Sequence, residues 1–186
     1  MPYAHPDALV STGWLAAHLG DPHVRIVDAS FKLPGIVPTA RQDYDSAHIP
    51  GAVFFDIDDI AQPGTSLPHM IPPPELFARK MEALGIGDDD RVVAYDSAGL
   101  SSAGRAWWML RLFGHHGVAI LDGGLPKWRA DGRPTNTAVP LLPETPATNL
   151  MSKPAVPTPA PVSPAPAPGT APAAKSGAAA PTPQPK

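Results

Sequence analysis

Four short apolar runs in this chain each end on an aspartate: Val24-Arg25-Ile26-Val27 before Asp28, Ala52-Val53-Phe54-Phe55 before Asp56, Arg91-Val92-Val93-Ala94-Tyr95 before Asp96, and Val118-Ala119-Ile120-Leu121 before Asp122. Compact apolar runs without strict alternation suit strands that are covered on both faces, as in a parallel sheet. Helical segments lie around and between them. Ser11-Thr12 can cap a short helix through Leu19, with Gly20 at its end. Arg41 to Ala47 is polar and reads as a turn or short helix. Pro72-Pro73-Pro74-Glu75 opens a helix with Phe77, Met81 and Leu84 on one face, and Gly85 stops it. Ser102 to Phe113 is a helix with Trp107, Leu110 and Phe113 near one face, and Gly123-Gly124 turns into a last short helix containing Trp128. Strands alternating with helices predict an α/β fold, a mainly parallel sheet covered by helices on both faces. Function in such sheets gathers at the carboxyl ends of strands, where all four aspartates stand. Carboxylates at those positions also cap turns and helix starts, and that is the expected role of each.

Composition divides the chain. From about Leu141 onward nearly every residue is Pro, Ala, Thr, Ser, Gly or Lys, as in Lys153-Pro154-Ala155-Val156-Pro157-Thr158-Pro159-Ala160-Pro161. With no aromatic residue and no apolar period, residues 141–186 are expected to be a disordered, partly polyproline-II tail. The folded domain is therefore expected over residues 9–140. The tail carries Lys153, Lys175 and Lys186 against Glu144, so the rest of the chain carries −5 of the overall −3. An acidic domain argues against nucleic acid or an anionic membrane as main partner. No stretch is apolar over a bilayer-spanning length, and Met1 to Asp7 lacks the basic and apolar regions of a secretion signal. The expected location is cytoplasmic. The absence of cysteine excludes disulfides and thiolate metal sites. No cofactor is expected.

The segment Tyr44-x-x-x-His48-Ile49-Pro50-Gly51-Ala52 places a proline–glycine turn before a strand, with His48 placed to hold the turn. This segment resembles the signature of rhodanese domains. Val27-Asp28-Ala29-Ser30, Phe54-Phe55-Asp56-Ile57-Asp58, Val93-Ala94-Tyr95-Asp96, Arg105-Ala106-Trp107-Trp108-Met109, Leu112-Phe113-Gly114-His115 and Leu121-Asp122-Gly123-Gly124-Leu125-Pro126-Lys127-Trp128 accompany it in the family's order. Together they are similar to the N-terminal domain of the two-domain 3-mercaptopyruvate and thiosulfate sulfurtransferases. In that family the cysteine of the second domain accepts sulfur as a persulfide, and the first domain usually lacks it. The resemblance implies the supporting half without the reacting half, a Pro/Ala tail standing where the second domain would follow. The abrupt change is also what a frameshift would leave.

Asp96 stands where an active rhodanese domain carries its cysteine. By resemblance, Ser97-Ala98-Gly99-Leu100-Ser101 corresponds to the cradle of backbone N–H groups around the thiolate. A turn leading into a helix is electropositive, and the Asp96 carboxylate is expected to fill it with its own charge. A carboxylate cannot carry a transferable sulfane sulfur. The resemblance also implies an acid/base pair, Asp58 orienting and His69 transferring a proton. Its serine and cysteine partners would belong to the missing domain. Two readings follow: a non-catalytic binding or scaffold domain (or remnant), or half of a split sulfurtransferase whose cysteine comes from a second chain.

Asp56-Ile57-Asp58 after a strand also resembles the Asp-x-Asp opening of haloacid-dehalogenase-type phosphatases, a short motif. His115-His116 could suggest a metal, but adjacent histidines on a turn rarely reach one ion, and no metal site is expected. One of Trp107 and Trp108 should be core. The other is expected nearer a face that would meet a second rhodanese domain or another copy of this chain.

Overall fold

The computed structural model describes residues 6–138. The expected Pro/Ala tail, and the end of the domain at Pro140, lie outside them.

The chain alternates as its sequence indicates: β1 (Leu9–Val10), α1 (Thr12–Ala17), β2 (Val24–Asp28), α2 (Ala40–Ser46), β3 (Ala52–Phe54), α3 (Pro74–Ala83), β4 (Arg91–Tyr95), α4 (Ala103–Leu112), β5 (Val118–Leu121) and α5 (Gly124–Ala130). All five strands pair in parallel, in the order β1-β5-β4-β2-β3. The central strand β4 sets the frame, with Val27 opposite Ala94 on one side and Val93 opposite Ala119 on the other.

Alternate side chains of the sheet feed two cores. Val27, Val53, Val92 and Ala94 pack with Phe77 and Met81 of α3 and with Ala106, Met109 and Leu110 of α4. Ile26, Val93, Tyr95 and Leu121 pack on the other face with Leu15 of α1, Tyr44 of α2, and Leu125 and Trp128 of α5. Every residue of β4 after Arg91 is buried, which is why that strand reads as a continuous apolar run.

The differences from the sequence reading are local. A fifth strand, β1, pairs Leu9 with Ile120 and Val10 with Leu121. Two residues carry no readable period, so only the neighbouring strand reveals it. Helix α1 ends at Ala17 rather than Leu19, where the His18 ring stacks on Trp14 at 4.0 Å between centroids. The polar stretch after Thr39 is helical over Ala40–Ser46, because Thr39 as N-cap and Gln42 in the first turn form a capping box, and Ala47 ends it in an extended conformation. Thr39→Ala should cost about 1 kcal/mol, read as a shift in the urea midpoint with an unchanged slope. Trp107 packs against the first core without being fully buried, while Trp108 is 41% exposed.

Among the described residues, no helix is long and apolar enough to cross a membrane.

Candidate functional site

The four strand-ending aspartates all hold their own backbone turns or pair locally. Asp28 Oδ1 accepts from the Ser30 N–H at 2.9 Å. Asp56 Oδ1 accepts from Asp58 and Asp59 at 3.0 and 3.2 Å. Asp122 pairs with Lys127.

Asp96 does far more. Its side chain is 1% exposed and accepts six backbone N–H groups. Oδ1 takes Ala98, Gly99 and Leu100 at 3.0, 2.7 and 3.2 Å. Oδ2 takes Ser101, Ser102 and Ala103 at 2.7, 2.8 and 2.9 Å. The last donor opens α4, so the helix dipole adds to the field on the carboxylate. Curling the loop this tightly puts Leu100 at φ 89, a backbone region that a side chain disfavours. The loop also lies directly on the start of α5. A Cβ on Gly124 would meet the Asp96 carbonyl oxygen at 2.6 Å, which explains the glycine at that position.

Beneath the cradle lies a second buried carboxyl. Asp28 is 1% exposed and accepts a hydrogen bond from the Tyr95 hydroxyl, whose oxygen in turn accepts from the Ile49 N–H at 3.1 Å. Ser30 Oγ completes the group by accepting from the Ser97 N–H at 2.8 Å. Burial pushes the Asp28 carboxyl above its ordinary value of 3.8; the Ser30 and Tyr95 bonds oppose this, and the Asp96 charge adds to it. Burial likewise raises the Tyr95 hydroxyl well above 10.0, helped by the Asp28 charge. The native state therefore holds a proton on Asp28 more tightly than the unfolded chain does. The stability gained is full below pH 3.8 and is lost as pH rises through the elevated native value. Asp28→Asn, which keeps an acceptor and has no charge to bury, should gain stability relative to the parent between acid and neutral pH. Urea midpoints that move in parallel across that range would exclude this.

Asp58 and His69 meet. His69 Nδ1 lies 3.2 Å from Asp58 Oδ1, an ion-pair distance without hydrogen-bond alignment, since the buried nitrogen has no hydrogen-bond partner. Both residues belong to the one long loop between β3 and α3, which the contact closes on itself, and the Phe31 ring meets the imidazole edge-on at 5.1 Å. Asp58 also borders an open cleft of about 290 Å³ between the loops after β2 and β3, with Phe31, Arg41 and Phe54 among its walls.

The Tyr44–His48 segment lies at the other end of β3. Tyr44 donates to the Ala52 carbonyl at 2.7 Å. His48 is fully buried and stacks on Tyr44 at 4.1 Å; its Nδ1 lies 2.7 Å from the Tyr44 carbonyl and its Nε2 3.0 Å from that of Ala138. Pro50-Gly51, with φ 82 at Gly51 and an Ile49–Ala52 backbone bond of 3.0 Å, has the pattern of a type II turn. These residues brace the entry to the strand, and the Ile49 N–H joins them to the Tyr95–Asp28 group beneath the cradle.

Two side chains escaped the sequence reading. Ser30 and Arg105 both lie in quoted motifs, but neither carried a role there. Arg105 Nη2 donates to the His69 carbonyl, tying the helix that opens at the Asp96 loop to the candidate acid/base pair.

Residues 11–131 match the model of the rhodanese-like domain. The chain belongs to the rhodanese family. This rhodanese domain is 52% identical over 126 residues to thiosulfate/3-mercaptopyruvate sulfurtransferase 1, mitochondrial, of Arabidopsis thaliana, covering 68% of this chain and 33% of that protein. It is 46% identical over 136 residues to 3-mercaptopyruvate sulfurtransferase of Escherichia coli K12, covering 73% and 48%. The crystal structure of the 3-mercaptopyruvate sulfotransferase SseA from Escherichia coli superimposes with a TM-score of 0.67 at 44% identity, over 72% of this chain and 52% of that one. The rhodanese domain matches the N-terminal part of these proteins and spans about a third to a half of their length.

The haloacid-dehalogenase resemblance of Asp56-Ile57-Asp58 finds no support in the geometry. Asp90 lies before β4 and pairs with Arg25 at 3.2 Å, at the opposite end of the sheet from Asp56. Among the described residues no group of three or more His, Asp or Glu could hold a metal.

Proposed function

We propose that this rhodanese domain is the non-catalytic half of a sulfurtransferase of the 3-mercaptopyruvate/thiosulfate type, without turnover by itself, and that it acts by binding a partner. The observation that carries this reading is the Asp96 cradle. Persulfide chemistry needs a thiolate, and here the nucleophile's position holds a carboxylate whose two oxygens are saturated by six N–H groups.

A partner is suggested by what the carboxyl-end loops display. Among the described residues, the exposed large hydrophobics are Leu33, Ile36 and Val37 after β2, Leu67, Met70 and Ile71 after β3, Leu100 after β4, and Trp108 on α4. Apolar side chains gathered at the functional end of a sheet are what a docking surface offers. The partner in this proposal is a second rhodanese domain, and a second copy of this chain is the competing occupant. We place the protein in the cytoplasm on its sequence alone. The Arabidopsis relative is named as mitochondrial, and cell fractionation separates the two.

The Asp58–His69 contact at 3.2 Å favours a second reading, a split enzyme in which this domain lends an acid/base pair to a cysteine supplied by another chain. Mixing the purified chain with a cysteine-bearing rhodanese domain tests both. Binding without new activity supports the scaffold. Turnover that appears only on mixing, and falls at least about a hundredfold with His69→Ala, supports the split enzyme. No association by analytical ultracentrifugation, as monomer throughout, would exclude both.

A further inference from the structure

His69 has a backbone conformation that histidine does not favour. Its φ is 56, in the left-handed region where a Cβ is crowded, so its surroundings must hold it there. Part of that hold is local. The Gln62 N–H donates to the Met70 carbonyl at 2.9 Å, and Thr65 Oγ1 donates to the Leu67 carbonyl at 2.8 Å, closing the loop on itself. The remaining hold on His69 comes from α4. Arg105 Nη2 donates to the His69 carbonyl, while its Nε is buried without a partner and its guanidinium lies 5.6 Å over the Trp108 ring. A charged donor makes the stronger kind of hydrogen bond, and this one falls on the carbonyl of the left-handed residue.

We infer that Arg105 is the positioning residue for His69. By fixing the carbonyl of a left-handed residue, it sets the plane of the following peptide and the direction of the imidazole. Nδ1 is thereby kept 3.2 Å from Asp58, and the ring edge-on to Phe31. The same helix start supplies Ala103 N–H to Asp96, so one rigid element fixes both the cradle and the histidine. A role in chemistry rests on the proposed function above; the positioning itself does not.

The test uses NMR on the full chain. In the unaltered protein, Arg105 Nη protons should show an NOE to the Met70 Hα, which lies on the same side of the trans peptide as the His69 carbonyl oxygen. Arg105→Gln should abolish NOEs between the His69 and Phe31 rings and speed Gln62 amide exchange about tenfold or more, with a thermal midpoint within a few degrees of the parent. Arg105→Lys, which keeps a charged donor, should restore the ring NOEs. Intact ring NOEs and unchanged Gln62 exchange in Arg105→Gln would overturn the inference. Were that variant not to fold, absence of the Arg105–Met70 NOE in the parent would overturn it, and its presence with the ring NOEs retained in Arg105→Lys would sustain it. Neither readout involves sulfur transfer, so failure here leaves the proposed function standing, and failure of that function leaves this geometry standing.

Discussion

Asp96→Ala should destabilise the domain by about 3–5 kcal/mol, far more than an ordinary single hydrogen bond contributes. The reason is the asymmetry between making a bond and abandoning its partner. Six N–H groups, from Ala98 to Ala103, point at two oxygens. Removing the carboxylate leaves six donors facing one another's positive ends, and Leu100 keeps a strained φ with nothing to justify it. Water can rescue the donors nearest the surface, since Ala98 and Ser101 are exposed, but Ala103 is buried. Asp96→Asn sharpens the experiment. It preserves shape and volume, yet turns an NH₂ toward donors that need an acceptor, so it should lose most of the same stability. Urea unfolding of both variants measures this. A loss under about 1 kcal/mol in Asp96→Asn would show that packing, not the acceptor, holds the loop.

Asp96→Cys should convert the cradle into a thiolate site. Cysteine ordinarily titrates near 8.5, and a ring of N–H donors at a helix N-terminus lowers that by about 2–3 units or more. Desolvation works the other way, as does the buried Asp28 carboxyl beneath, whose interaction with position 96 is already felt in the parent protein. We expect the six donors to win, because charge-assisted bonds in a water-poor site outweigh one neighbouring carboxyl that is itself pushed toward its neutral form. The natural chain has no cysteine, so thiolate absorbance near 240 nm would report this residue alone. A midpoint at or above the ordinary cysteine value would mean that the loop is shaped around a carboxylate and does not stabilise anions in general.

The sheet was legible because β2, β3, β4 and β5 are compact apolar runs closed by turn-forming aspartates. Burial on both faces writes itself into such sequences. Strand β1 was illegible for the opposite reason, since two residues carry no period and owe their extended form to β5. In α2 only Tyr44 is buried, so no apolar stripe marks the helix, and the readable signal was the Thr39–Gln42 capping box. The site was half legible. Motif resemblance placed Asp58, His69 and Asp96, and an electropositive turn suggested that Asp96 would fill its own loop. Which donors converge on that carboxylate depends on how the turn curls. That Arg105 reaches His69, thirty-six residues away in sequence, depends on how α4 packs against a long loop. Neither follows from spacing.

A rhodanese domain in which a self-satisfied carboxylate occupies the proposed nucleophile position should not move sulfur by itself. The purified chain should be given 3-mercaptopyruvate or thiosulfate as donor and cyanide as acceptor, and thiocyanate followed with time. The expected result is formation no faster than in buffer. Sustained turnover by the pure chain, abolished by His69→Ala, would contradict the account, because sulfur would then be moving on this fold without a thiol.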